Sequence, residues 1–124
     1  MSLIEVDASD LDSVIASHPQ LIVDFWASWC QPCLRFRPIF EAAAAEHDDV
    51  TFATFQVDAD SANQERFAEL ELPGVPVLLL FKEGRWVELA LGAQTPGALR
   101  QLVTSLRDLD LEEPPVELTG PVAV

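Results

Sequence analysis

Basic residues are scarce in this chain: seven Lys and Arg stand against 21 Asp and Glu in 124 residues, a formal net charge of −14. A surface so negative repels phosphate backbones and anionic headgroups, which argues against a general nucleic-acid or membrane-surface role. Cysteine is scarce too. Cys30 and Cys33 are the whole complement, too few for a disulfide-dense scaffold. Long apolar runs are missing: Leu21 to Trp29, broken by Asp24, and Val75 to Phe81 fall far short of the roughly 20 residues that a membrane-spanning helix needs. The first seven residues hold no base and no apolar stretch of signal-peptide length, so a cytoplasmic location is expected. No Gly-rich βα turn is present to cradle a nucleotide or flavin phosphate, and no internal repeat is visible. What remains is an ordinary globular composition, 49% hydrophobic and 23% charged, of a length that buries one domain's core without staples.

Apolar periodicity lays out that domain. Leu3 to Val6 reads as a short strand. Ser9 with Asp12 forms a capping-box pattern, followed by Leu11, Val14 and Ile15 at helical spacing. His18-Pro19 ends this helix, because a residue before proline is driven out of the α region. Leu21 to Ala27 is apolar on both alternating faces except at Asp24, as in a strand buried on both sides. Beyond Cys33, residues Phe36, Ile39, Phe40, Ala43 and His47 share a helical face, with Pro38 inside the run and expected to kink it. Thr51 to Val57 reads as a second buried strand, and Ser61 with Gln64 as a capping box opening a helix to Leu70. Val77 to Phe81 is a third apolar strand behind the break Pro73-Gly74-Val75-Pro76. Lys82-Glu83-Gly84-Arg85 signals a hairpin with Gly84 at positive φ. Its second strand, Trp86 to Leu91, places Val87, Leu89 and Leu91 on one face and Trp86 on the other, exposed. Thr95 and Pro96 open a last amphipathic helix through Leu99, Leu102, Val103 and Leu106. The order βαβαβαββα predicts an α/β fold, a central mixed β-sheet flanked by helices on both faces. Residues 108–124 hold five acids, no base and three prolines, the composition of a flexible tail outside a folded domain spanning 1–107.

The chemistry gathers at Trp29-Cys30-Gln31-Pro32-Cys33, where a buried strand turns into a helix. Cys30 falls at the helix N-terminus, whose unpaired N–H groups and dipole favour an anion, so its thiol pKa is expected to drop and its thiolate to be the nucleophile. Cys33, one turn inside and with less solvent access, is expected to resolve. A two-residue spacer lets the sulfurs meet across a helical turn, and Pro32 stiffens it without losing a needed donor. The competing reading is half a zinc site, which requires two further ligands where the chain offers only His18 and His47. Asp24, amid apolar neighbours, is expected to be buried with a raised pKa rather than to face water at a strand end. Arg35 and Arg37, the only bases between residues 1 and 65, either lend positive potential to Cys30 or sit on the solvent face of the helix.

The segment Val23 to Cys33, followed by Pro38, Asp58, the Gly74-Val75-Pro76 turn and Gly92, resembles the thioredoxin family in register over about residues 3–107. The resemblance implies the thioredoxin fold, with a cis peptide bond before Pro76 lying against the cysteine pair. It implies dithiol–disulfide exchange through a mixed disulfide on Cys30 that Cys33 releases, and a buried Asp24 relaying the proton. It also implies a substrate groove formed by Trp29, Gln31, Pro32, Val75 (through its main chain), Pro76 and Gly92. The redox group is then the Cys30–Cys33 disulfide, with no metal or further cofactor. The partners are disulfide-containing client proteins and a thioredoxin-reductase-like electron donor, and a monomer is expected. Three positions depart from the family pattern. Gln31 replaces the usual glycine and can move the redox poise in either direction. Thr54 stands where a lysine near the buried carboxylate is usual, and Val77 follows Pro76 where threonine is common. A protein-disulfide reductase is the leading reading. A thioredoxin-like binding module with incidental redox activity is the alternative, and an oxidase or isomerase fits less well without an oxidising compartment.

Overall fold

A computed structural model describes residues 3–111. Nine elements follow the predicted order: β1 (Leu3–Val6), α1 (Leu11–Ser17), β2 (Gln20–Trp26), α2 (Gln31–Glu46), β3 (Thr51–Gln56), α3 (Ser61–Leu70), β4 (Val77–Lys82), β5 (Arg85–Leu91) and α4 (Pro96–Asp108). The five strands form one mixed sheet in the order β1-β3-β2-β4-β5. β1, β3 and β2 run parallel, whereas β4 and β5 run antiparallel to their neighbours. β2, β3 and β4 are buried on both faces, which is why their sequences read as continuous rather than alternating apolar runs.

Alternation along these strands divides the core in two. Leu21, Val23, Phe25, Ala53, Phe55 and Leu79 face α1 and α3, packing with Leu11, Phe67 and Leu70. Ile22, Phe52, Leu78 and Leu80 face α2 and α4, against Phe36, Phe40, Leu99, Val103 and Leu106. The rings of Phe40 and Phe52 meet edge to face at 5.2 Å. On this second face Glu5, Thr54, Asp24 and Leu78 stand in register across four strands.

Several local expectations are corrected. The N-caps are Asp10 and Asp60, not Ser9 and Ser61; Asp60 accepts the Asn63 N–H, and the Asp10 side chain makes no cap bond. Aspartate and serine cap equally well, so adjacent candidates are separated only by the phase of the apolar face. Thr95 does cap α4, accepting the Ala98 N–H, and α2 continues helical through Pro38. The hairpin turn has two residues at positive φ, Glu83 at 51° and Gly84 at 81°, as a type I′ turn requires. In β5 a register shift opposite Leu80 and Phe81 leaves Val87 as an extra residue. Val87 and Ala90 therefore pack on the α2–α4 core, while Leu89 and Leu91 turn with Trp86 to the outside, contrary to simple alternation from Val87. α4 extends to Asp108, and Lys82 Nζ donates to the carbonyls of Leu106, Arg107 and Leu109 at 2.7–2.9 Å. The start of the segment assigned to a tail is thus tied to the sheet; residues 112–124 lie outside the described residues.

Candidate active site

The topology brings several chain segments to one end of the sheet. β2 runs out toward the cysteines, β3 ends beside it, and antiparallel β4 begins there, with Phe25 opposite Val77. β5 returns to the same end, Leu91 lying opposite Val77. The loop after β2 is braced by Asp58. Its carboxylate accepts the Ser28 N–H at 3.0 Å, the Ser28 hydroxyl and the Gln56 side-chain amide. Those bonds, the Ser28 hydroxyl first, hold the Asp58 pKa below the usual carboxylate value. Asp58 stood out in the sequence only through the resemblance; an acid directly after a buried strand was the signal that it anchors a turn.

The Cys30 N–H then closes a turn on the Ala27 carbonyl at 3.1 Å. Cys30 is the N-cap of α2, and its Sγ accepts the Cys33 N–H at 3.1 Å. The two cysteines are joined in a disulfide, with Cα atoms 5.2 Å apart. Cys30 is 4% exposed and Cys33 2%, so the expected difference in solvent access is slight. The asymmetry lies in the cap: one sulfur receives the helix's N-terminal N–H, while the other sits on the third helical residue.

Gln31 and Pro32 are exposed at the first helical positions, and Trp29 stands 69% exposed beside Cys30. Val75 packs against the buried cluster that contains both cysteines, and the Val75–Pro76 peptide bond is cis, as the resemblance implied. The Pro76 carbonyl accepts the Gly92 N–H at 2.8 Å. Gly92 has φ 93°, a conformation that a side chain would strain. Leu91, with its side chain near Gly74, adds an exposed apolar surface here; the sequence concealed it, because the bulge at Val87 reverses which side of β5 faces out.

Asp24 is fully buried, and neither carboxylate oxygen has a hydrogen-bond partner. Burial pushes its pKa from 3.8 up to about 7, with the Arg37 guanidinium pulling the other way. The Arg37 guanidinium lies over the Trp26 ring, 4.6 Å from the centroid, and Trp26 is half-buried, packed against the cluster that contains both cysteines. Arg35 is exposed. Thr54, opposite Asp24, lines a cavity of about 250 Å³ with Trp26, Gln56 and Glu5. Among the described residues no group of three or more His, Cys, Asp and Glu could hold a metal ion, and no helix is long and apolar enough to cross a membrane.

A bonded cysteine pair one helical turn apart, capped at the helix N-terminus and fed by a strand with a buried, unpartnered carboxyl, defines a thiol–disulfide exchange centre. The comparisons specify its kind. The family model described as Thioredoxin matches residues 2–105, and the chain belongs to the thioredoxin family. A thioredoxin of Mycolicibacterium smegmatis is 38% identical over 102 residues, 81% of this chain and 90% of that protein. A bifunctional thioredoxin reductase/thioredoxin of Mycobacterium leprae is 38% identical over 104 residues, 83% of this chain and 21% of that protein. The solved structure of a point-mutant thioredoxin from Halobacterium salinarum superposes with a TM-score of 0.76 at 34% identity, covering 88% of this chain and 94% of that one. The protein is a thiol–disulfide oxidoreductase of the thioredoxin class; a mere binding module is not favoured.

Proposed function

We propose that the protein reduces disulfides of client proteins with Cys30 as nucleophile, Cys33 as resolving thiol and Asp24 as proton acceptor. In the reduced state the Cys30 thiolate attacks one sulfur of a client disulfide; a mixed disulfide forms and one client thiolate leaves. Cys33 gives its proton to the Asp24 carboxylate and attacks Cys30 Sγ. The second client thiolate departs, and the Cys30–Cys33 disulfide is left with two electrons passed to the client. A pKa of about 7 leaves Asp24 divided between acid and carboxylate at neutral pH, the condition for taking up a proton and giving it back. The observation that carries the assignment is the Cys33 N–H donated to Cys30 Sγ, a bond that strengthens when that sulfur is a thiolate.

The client's extended chain lies along the Val75 main chain beside Pro76, flanked by Trp29, Gln31, Pro32 and Gly92. The disulfide is the redox group, and no further cofactor or metal takes part. Recharging falls to a reductase-like protein, a reading supported by the relative that bears both names in one chain. The protein works as a cytoplasmic monomer in this reading, since a reducing compartment keeps the dithiol charged. Trapping tests the roles: Cys33→Ser accumulates mixed disulfides through Cys30. Failure to trap any client, with the wild type also inactive on protein disulfides, overturns the proposal.

A further inference from the structure

The Arg37–Trp26 contact assigns Arg37 a task that neither the resemblance nor the comparisons give it. We infer that Arg37 is a positioning residue for the reaction: held on the Trp26 ring, it supplies the positive charge that keeps the buried Asp24 able to ionise.

The geometry leaves few other candidates. Across the sheet Asp24 faces Thr54 on β3 and Leu78 on β4, neither of them charged. Glu5 of β1 stands one strand further out, opposite Thr54, and its charge has the same sign as that of Asp24. Over this face α4 buries Leu99, Val103 and Leu106. α2 buries Phe36, Phe40, Ala43 and Ala44 on that face, while its Cys33 is tied up in the disulfide and carries no charge. Arg37 is the charged group that acts on Asp24 from these elements.

Its placement is held from two sides. The guanidinium lies on Trp26, two residues beyond Asp24 along β2 and so on the same alternating face. Glu41, one turn along α2, approaches it at 4.0 Å. Stacking suits the planar guanidinium. It also brings the charge toward the carboxyl without a direct ion pair, since both Asp24 oxygens remain unpartnered. A direct pair would fix Asp24 as a carboxylate and remove its capacity to cycle a proton. A charge set back from the carboxyl stabilises the ionised form only in part.

This inference rests on Asp24 as the proton acceptor, and its test separates the two. In the oxidised protein, where the cysteines do not titrate, the Asp24 side-chain carboxyl is followed by carbon NMR from pH 4 to 10. The comparison covers the wild type, Arg37→Gln, Arg37→Lys and Arg35→Gln. Arg37→Gln should raise the proton affinity of Asp24 about three- to tenfold. Arg37→Lys, which keeps the charge, should lie closer to the wild type, and Arg35→Gln should match it. An Asp24 midpoint unchanged in Arg37→Gln overturns the inference, and so does a Lys variant that follows Gln. The pH profile of disulfide reduction should move alkaline with Arg37→Gln and cease to respond to that substitution in an Asp24→Asn background. If the NMR midpoint moves while the rate profile does not, the Arg37–Asp24 coupling stands and the role of Asp24 in proton transfer falls.

Discussion

Replacing Asp24 by Asn removes a charge that the fold holds at a cost, and the structure sets the size and sign of the consequence. Asp24 has no partner for either oxygen, and its pKa rises from 3.8 to about 7 through burial, against the pull of Arg37. Between those values the native state keeps a proton that the unfolded chain has released, so stability falls as pH rises across that window. Below pH 3.8 both states hold the proton and the penalty is absent; above about 7 it is complete. At about 1.4 kcal/mol per pH unit, the full penalty is about 4 kcal/mol. Asn has nearly the same shape and cannot ionise. The unfolding free energy of Asp24→Asn minus that of the wild type should therefore be small and constant in acid, then climb by about 4 kcal/mol to a plateau above neutrality. Denaturant unfolding of both oxidised proteins from pH 3.5 to 9 measures it, and the other carboxylates cancel in the difference. A gap that does not change with pH refutes the reasoning.

Three further substitutions probe the frame around the site. Asn63, almost fully buried, accepts the Ala8 N–H and donates to the Gln56 carbonyl; Asn63→Ala orphans both and should cost about 2–4 kcal/mol in urea unfolding. Lys82→Met strips the ammonium from three carbonyls at the C-terminus of α4 and should cost about 1–2 kcal/mol, with faster amide exchange confined to the last turn of α4. Glu83 sits at φ 51° in the hairpin turn; Glu83→Asn should gain about 0.5–1 kcal/mol, and a loss would show that the turn is not held in the left-handed region.

Much of the fold was legible because its strongest signals are local. Leu21 to Ala27 reads as a strand covered on both sides, and β2 occupies Gln20–Trp26; Gly84 beside Glu83 marked the hairpin. Cys30 at a strand-to-helix turn and Asp24 among apolar residues marked the site from the sequence itself. What was hidden depends on how elements meet. The bulge at Val87 is a mismatch between two strands, and a single strand's alternation cannot show it. Asn63 reaches 55 residues back to Ala8, beyond the range of any helical pattern. Arg37 was recognised as a base near the site, but its direction follows from the phase of α2 against Trp26, which only the packed structure determines.

Catalysed reduction of a protein disulfide by dithiothreitol, with the wild type run beside Cys30→Ser and Cys33→Ser, tests the central claim most directly. Turnover is expected in the wild type and none in Cys30→Ser; pre-reduced Cys33→Ser, mixed with the client disulfide after dithiothreitol is removed, makes a single attack that stops at a mixed disulfide on Cys30. Correctly folded wild type without turnover, or Cys30→Ser that still turns over, would contradict it.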